Sequence, residues 1–309
     1  MVKLKSPLFS ILIANYNNGR YLKECLQSIF YQTYSNWEVI LVDDASTDNL
    51  SFEIYEKYKV HPQVHIFYNP TNKGCGYTKR TCVEKANGQI LGFLDPDDAL
   101  TADALEIMVS EHLLHPGHSL IYSTHYLCDE HLNINSINGR VQQVDKDGYF
   151  CSIGKQVSHF ATFKKKSYIL TEGINPQLKR AVDQDLYYIL DEVGKFHFVD
   201  RPLYYYRIHE NGISTNSNAL RAMYWHLTIM QYTYLRRKQK KVPNIDKNYL
   251  NNRWIHYYTK SIYFNLNEIK FDKKRHLGLV MMIFRHAGLN NILHSIKLLL
   301  LPIKRIWVN

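Results

Sequence analysis

The chain has 309 residues, of which 45% are hydrophobic and 21% charged, values that exclude a disordered chain and fit one large domain with an appendage, or two domains. Its five cysteines (Cys25, Cys75, Cys82, Cys128 and Cys151) form no CxxC pair, which argues against a zinc knuckle or a disulfide framework and for reduced thiols in a cytoplasmic protein. The net charge of +10 is uneven: residues 216–309 hold 17 Lys and Arg against three acids, so a mildly acidic front precedes a strongly basic back.

The short apolar run at 8–14 reads as a buried strand rather than a signal peptide. No apolar run reaches the roughly 18 residues of a spanning helix. A first strand over 9–13 ends at Asn15-Tyr16-Asn17-Asn18-Gly19, and Leu22, Cys25, Leu26, Ile29 and Phe30 then recur at helical spacing. A second strand over 37–42 is closed by Asp43-Asp44-Ala45-Ser46-Thr47-Asp48, with a helix following to Tyr58. A third strand covers 64–68, a helix covers 77–86 and stops at Asn87-Gly88, and a fourth strand covers 90–94. That strand ends abruptly at Asp95-Pro96-Asp97-Asp98, before a helix over 102–114.

Continuously apolar strands alternating with helices predict an α/β, mostly parallel sheet covered on both faces. Ligands bind such sheets at the carboxyl ends of the strands, where the acidic clusters sit. Farther on, 120–124 and 160–163 read as strands, 183–193 as a helix, and 195–199 with 203–207 as a closing hairpin. Beyond residue 214 the pattern is helical and basic. Leu289, Ile292, Leu293, Ile296, Leu300 and Ile303 share one face, which suits either an interfacial helix on a membrane or a helix packed on the catalytic domain. No nucleic-acid-binding module accompanies the basic charge, so nucleic acid is not an expected partner.

Three carboxylates at Asp95, Asp97 and Asp98 repel one another, and a hard divalent cation is the usual compensation. The competing reading makes one of them, or Thr101, a helix cap. Asp43 and Asp44 suit the N–H groups of a base or ribose hydroxyls, or else an Asx-turn and cap. The glycine-bearing loop Asn72-Lys73-Gly74 with Lys79 and Arg80 suits a base or a pyrophosphate, but matches neither a P-loop nor a dinucleotide fingerprint.

Ser10-Ile-Leu-Ile-Ala-Asn-Tyr-Asn17, Val42-Asp-Asp-Ala-Ser-Thr-Asp48, Asn72-Lys-Gly74 and Phe93-Leu-Asp-Pro-Asp-Asp98, in this order and spacing, resemble family 2 glycosyltransferases of the bacterial cell-envelope polysaccharide type. The resemblance covers residues 7–215. It implies a GT-A fold, a Rossmann-like sheet with a C-terminal helical extension. The catalytic domain would span 1–215, with a nucleotide-sugar half over about 1–100 and an acceptor half over about 101–215, leaving 216–309 as a basic helical region.

The family resemblance also implies roles. Ala14, Tyr16 and Asp44 would hold the base, Asp43 would assist, and Lys73 would lie near base or phosphates. Asp95 and Asp97 would bind ribose and a divalent metal (Mn2+ or Mg2+) on the diphosphate, with Asp98 alongside. Asp183 or Asp185, in Val182-Asp-Gln-Asp-Leu186, would be the catalytic base, with Asp183 preferred; Val182 replaces the usual acid there. In Tyr206-Arg-Ile-His209, His209 is either a third metal ligand (or phosphate contact) or a plain loop histidine, and Arg207 would pair with the diphosphate or with Asp183. The implied reaction is inverting transfer from a UDP-sugar to a glycan or lipid-linked hydroxyl, in the cytoplasm or at the inner face of its membrane. The rivals are a phosphotransferase using Asp95-x-Asp97 and a nucleotide-sugar-binding protein without catalysis.

Overall fold

In the computed structural model, residues 6–144, 156–210 and 219–241 are described. The chain divides into two compact units, Met1–His209 and Glu210–Asn309.

The first unit runs β1 (Phe9–Asn15), α1 (Gly19–Phe30), β2 (Trp37–Asp43), α2 (Asn49–Tyr58), β3 (Val64–Tyr68), α3 (Cys75–Lys85) and β4 (Ile90–Phe93). It continues with β5 (Ala99–Leu100), α4 (Ala104–Leu114), β6 (His118–Cys128), β7 (Ile134–Ile137), β8 (Ala161–Lys164), α5 (Lys165–Ile169), α6 (Val182–Asp191) and β9 (Lys195–Arg207). All nine strands join one sheet in the order β3-β2-β1-β4-β8-β6-β9-β5, with β7 beside β6. β1 to β4 pair in parallel, β8 runs antiparallel between β4 and β6, and β9 is parallel to β6.

The apolar runs explain the parallel half. Every residue of β2 is buried, and Phe9, Ile11, Ile13, Val39 and Leu41 join Leu22, Cys25, Leu26 and Ile29 of α1 in one core. Each such aliphatic or aromatic side chain contributes about 1.5–3 kcal/mol by leaving water. The chain moves one way from β1 through β2 to β3 and the other way to β4. Such a switch point leaves a crevice at the carboxyl ends of β1 and β4.

The cap of α2 is Asp48, not Ser46 or Thr47. Its Oδ2 accepts from Ser51 N of α2 (3.0 Å) and from Gly19 N of α1 (3.1 Å), so one carboxylate serves two helix N-termini. At the start of α4 neither Asp98 nor Thr101 is the cap; that position is Asp103, which makes no side-chain cap bond.

The expected closing hairpin is instead a single strand. β9 keeps one direction along β6, but Ser123 faces Val199 and Thr124 faces Pro202, so Asp200 and Arg201 bulge from the ladder. Proline lacks the N–H for regular pairing, and a bulge absorbs it without a reversal. The turn-like residues Asp200-Arg201-Pro202 suggested a turn for that reason.

In the second unit, α7 (Ala219–Gln239) buries Ile229, Met230 and Tyr234 and ends in Arg236, Arg237 and Lys238. The apolar face proposed over 289–303 lies outside the described residues. Among the described residues no helix is long and apolar enough to cross a membrane.

Glu38 is a buried tie in the sheet. It accepts from Ser10 Oγ (2.6 Å), Asn87 N (2.6 Å) and Gly88 N (3.1 Å). Burial pushes its pKa up, but these hydrogen bonds outweigh burial and hold it below the ordinary glutamate range. Glu38→Gln sets an amide against those donors and is expected to cost about 1–3 kcal/mol at neutral pH in denaturant titrations. Because the folded pKa is depressed, the charged form's contribution is lost as pH falls through that value. The gap between wild type and variant therefore narrows in acid.

Candidate active site

The crevice is lined by the segments that follow β1, β2 and β4. At the end of β2, Asp43 faces inward: its Oδ1 accepts from Tyr55 Oη (2.6 Å) and its Oδ2 from Ser46 N (3.0 Å), an Asx-turn. Asn15, at the end of β1, also donates to Tyr55 Oη (2.7 Å). Asp43 therefore fixes the β1 and β2 ends rather than presenting a carboxylate to the crevice.

Asp44 points the other way. Its Oδ1 accepts from Lys73 N and Asn69 Nδ2, and its Oδ2 from Gly74 N, each at 2.8 Å. It holds the 72–74 loop at the start of α3. Gly74 has φ +90°, the left-handed region that favours glycine. A Cβ on Gly76 would meet Asn175 O and Leu178 O at 2.6 Å, so glycine there lets α3 reach the 175–178 segment. Beside Asp44, Ala14 is half-buried and Tyr16 is 47% exposed, while Lys73 is anchored by its backbone with its side chain in solvent.

Past β4 the three acids separate. Asp98 turns into the protein, accepting from Tyr204 Oη (2.6 Å) and Arg207 N (2.7 Å). Burial, together with Asp97 and Asp95, pushes its pKa well above the carboxylate range. Asp95 faces the crevice and binds Lys79 Nζ at 3.1 Å. Burial raises its pKa, but the Lys79 ammonium, with His159 nearby, outweighs burial and leaves it below the usual value.

Lys79 also binds Asp183 Oδ1 at 2.7 Å, so one buried ammonium joins the end of β4 to the first turn of α6. Burial disfavours its charge, but Asp183 and Asp95 reverse that and raise its pKa well above the lysine range. Asp185 looks the opposite way. It is buried, and its Oδ2 accepts from Asn175 N at 3.2 Å. Residues two apart on a helix cannot share a face, and the structure turns Asp183 toward Lys79. Arg80, next to Lys79, leaves the cluster altogether: it pairs with Glu84 (3.0 Å) and donates to Ile174 O (3.1 Å).

Arg207 does not meet Asp183 either. It donates to Asp97 O (2.6 Å) and the Glu130 carbonyl, pairs with Glu24 (2.7 Å), and its guanidinium lies over Tyr21. It latches β9 to the Asp97 backbone and α1. His209, two residues on, is buried, and its Nε2 is 3.0 Å from Asp97 Oδ2.

At 3.0 Å the two atoms form a hydrogen bond. Adjacent ligands of an octahedral ion bound at about 2.1 Å also stand about 3.0 Å apart, so these residues could hold a small divalent cation. The opposite ring atom, His209 Nδ1, is buried without a hydrogen-bond partner among the described residues.

Two contributors escaped sequence reasoning. Tyr204 Oη accepts from Asp95 N (3.2 Å) while donating to Asp98, and the His159 ring stacks on both Tyr204 and Tyr206. The run Tyr204-Tyr205-Tyr206 read only as a strand; no spacing rule links it to residues more than a hundred positions away.

Removing the Lys79 charge leaves Asp95 and Asp183 against each other. Asp95 and Asp183 keep 29% and 31% of their side-chain surface, so Lys79→Met is expected to cost less than a fully buried pair, about 1–3 kcal/mol at neutral pH. Urea unfolding checks this, and the cost shrinks in acid as Asp95 protonates.

The family model for glycosyl transferase family 2 matches residues 10–205, the span that contains every element of this site except His209 and Arg207. The chain is 34% identical to a chondroitin synthase of Escherichia coli over 212 residues, covering 67% of this chain and 30% of that protein. It is 27% identical to a hyaluronan synthase of Pasteurella multocida over 310 residues, covering 98% of this chain and 31% of that one. The chain thus spans about a third of the length of these relatives. The crystal structure of S. aureus TarS 1-349 in complex with UDP-GlcNAc superposes with a TM-score of 0.63 at 18% identity, over 89% of this chain and 80% of that one. That likeness concerns architecture, the GT-A fold. With the family match covering well over half its length, the chain belongs to glycosyl transferase family 2.

Proposed function

We propose that the first unit is an inverting glycosyltransferase of polysaccharide synthesis, transferring a sugar from a nucleoside diphosphate, UDP by preference, to a hydroxyl of a glycan or lipid-linked acceptor. The observation that carries this reading is the Asp95–Lys79–Asp183 bridge at the carboxyl ends of the strands. The nucleotide-sugar ligands named for TarS and the polysaccharide synthases among the relatives support the donor class and product class.

Asp44, Ala14 and Tyr16 form the base-binding edge. Asp44 Oδ2 takes one backbone N–H, so it keeps lone-pair capacity for a base N–H, and the exposed Tyr16 ring offers a stacking face. Lys73 reaches the base or phosphates from its anchored backbone. Asp43, Asp98, Arg80, Arg207 and Asp185 support the site from behind. Asp97 and His209, with Asp95 beside them, would hold a divalent ion, which when bound would neutralise charge on the departing diphosphate.

Asp183 is the base in this reading, because Lys79 occupies only its Oδ1 and 31% of its side chain remains open. It takes the proton of the acceptor hydroxyl as that oxygen forms a bond to the anomeric carbon. The bond from that carbon to the diphosphate oxygen breaks with its electron pair leaving on the diphosphate, and attack from the opposite face inverts the centre. Lys79 orients Asp183. The basic region from residue 216 onward would hold the enzyme near anionic headgroups on the cytoplasmic face of the membrane.

Asp183→Asn is expected to lower transfer by about 100- to 10,000-fold, measured with a panel of UDP-sugars, while UDP affinity changes little. Full activity in Asp183→Asn with loss in Asp185→Asn would overturn the base assignment. Asp97→Asn is expected to abolish the manganese dependence of UDP binding in calorimetry; unchanged dependence contradicts the metal role. A folded protein that binds UDP with manganese but transfers no sugar to any acceptor would favour the non-catalytic binding reading.

A further inference from the structure

A second set of ligating side chains lies at the other end of the sheet. His115 ends α4, His118 opens β6, and His197 lies near the start of β9, facing Ile121 across the β6–β9 pair. Both strands run parallel to β4, because β8 opposes β4 and β6 alike. Their N-terminal ends are therefore remote from the rim that carries Asp95 and Asp183.

One nitrogen from each of these imidazoles lies within 4.8 Å of the other two. Glu111, one turn before His115 on α4, adds an oxygen: its Oε2 is 3.4 Å from His115 Nε2 and 3.3 Å from His197 Nε2. Tetrahedral zinc with ligands at about 2.0–2.1 Å sets neighbouring donors about 3.3 Å apart, so these gaps already match. Completing the set requires the His115 and His197 rings, now 3.9 Å apart at their centroids, to spread and His118 to close in. His118 Nδ1 is buried without a hydrogen-bond partner among the described residues. The side chains of His115, His197 and Glu111 keep 24–32% exposure, which leaves an entry path.

The surroundings carry opposing charge. Lys164 Nζ donates to His115 O and Pro116 O, each at 2.8 Å, and Lys195 opposes His118 in the β6–β9 register.

We propose that His115, His118 and His197, with Glu111 as the fourth donor, bind one transition-metal ion of zinc type, which fastens α4 to the starts of β6 and β9. Three imidazoles and a carboxylate suit zinc or cobalt rather than the harder cations that favour all-oxygen sites. The binding is structural: all four positions are filled by protein, and no position is left for a substrate.

Cobalt(II) titration of the metal-free full chain tests this directly. Wild type is expected to take up one equivalent with the intense visible absorption of a tetrahedral site, and zinc is expected to displace it. His197→Gln and His118→Ala should each remove that absorption and weaken cobalt binding by more than the roughly 10- to 100-fold that loss of an outer-shell partner costs. Any weaker equivalent held by Asp97 and His209 should persist in both variants. Zinc should also raise the melting temperature of wild type but not of His197→Gln, whose partly exposed position keeps the variant foldable. No tetrahedral cobalt spectrum in wild type, or an identical spectrum in folded His197→Gln, overturns the proposal.

Discussion

The site depends on one buried ammonium. Lys79 sits on α3 and is held between Asp95, at the end of β4, and Asp183, at the start of α6. The Phe93 ring lies 5.0 Å from the lysine Nζ. In such a setting the acids lose their partner only at a cost of about 1–3 kcal/mol. The constraint fixes the relative positions of three elements that are far apart in sequence. The glycine at position 76 enters here as well, because only a residue without a Cβ lets the start of α3 approach the 175–178 segment that Asp185 braces.

A division of labour repeats in each acidic cluster. Asp43 is tied to Tyr55 and Ser46 while Asp44 arranges the 72–74 loop. Asp98 is tied to Tyr204 and the Arg207 backbone while Asp95 and Asp97 face Lys79 and His209. Asp185 is tied to Asn175 while Asp183 faces Lys79. In each cluster one carboxylate ties elements of the protein together while its neighbour faces the other way. Adjacent like charges at a strand end are tolerable on these terms, because each inward acid is met by fixed donors, while Asp95 and Asp183 meet a cation and Asp44 meets the 72–74 backbone.

Much of this was legible in the residues. Continuously apolar runs fixed β1, β2 and β4, and helical spacing placed Leu22, Cys25, Leu26 and Ile29 in the core. Acids at strand ends pointed to the rim. What remained hidden depends on orientation. Asp183 and Asp185 lie on opposite faces of α6 on any helical wheel, but which face meets the crevice is set by packing of α6, a tertiary fact. Arg80 and Arg207 carry the right charge beside the right motifs, yet Glu84 and Glu24 claim their guanidiniums. Pro202 was read as a turn because a bulge and a turn share the same residue types. The three histidines escaped notice because His197 is remote in sequence from the His115–His118 pair, and only the β6–β9 pairing unites them.

The most direct measurement is a crystal structure of the full chain soaked with UDP and manganese, with the metal located by anomalous scattering. The account expects the base between Tyr16 and Asp44, the manganese on Asp97 and His209, and the diphosphate on the side of Lys79 toward the open face of Asp183. Nucleotide bound elsewhere, or manganese on Asp98 with Arg207 displaced from Asp97, would contradict it.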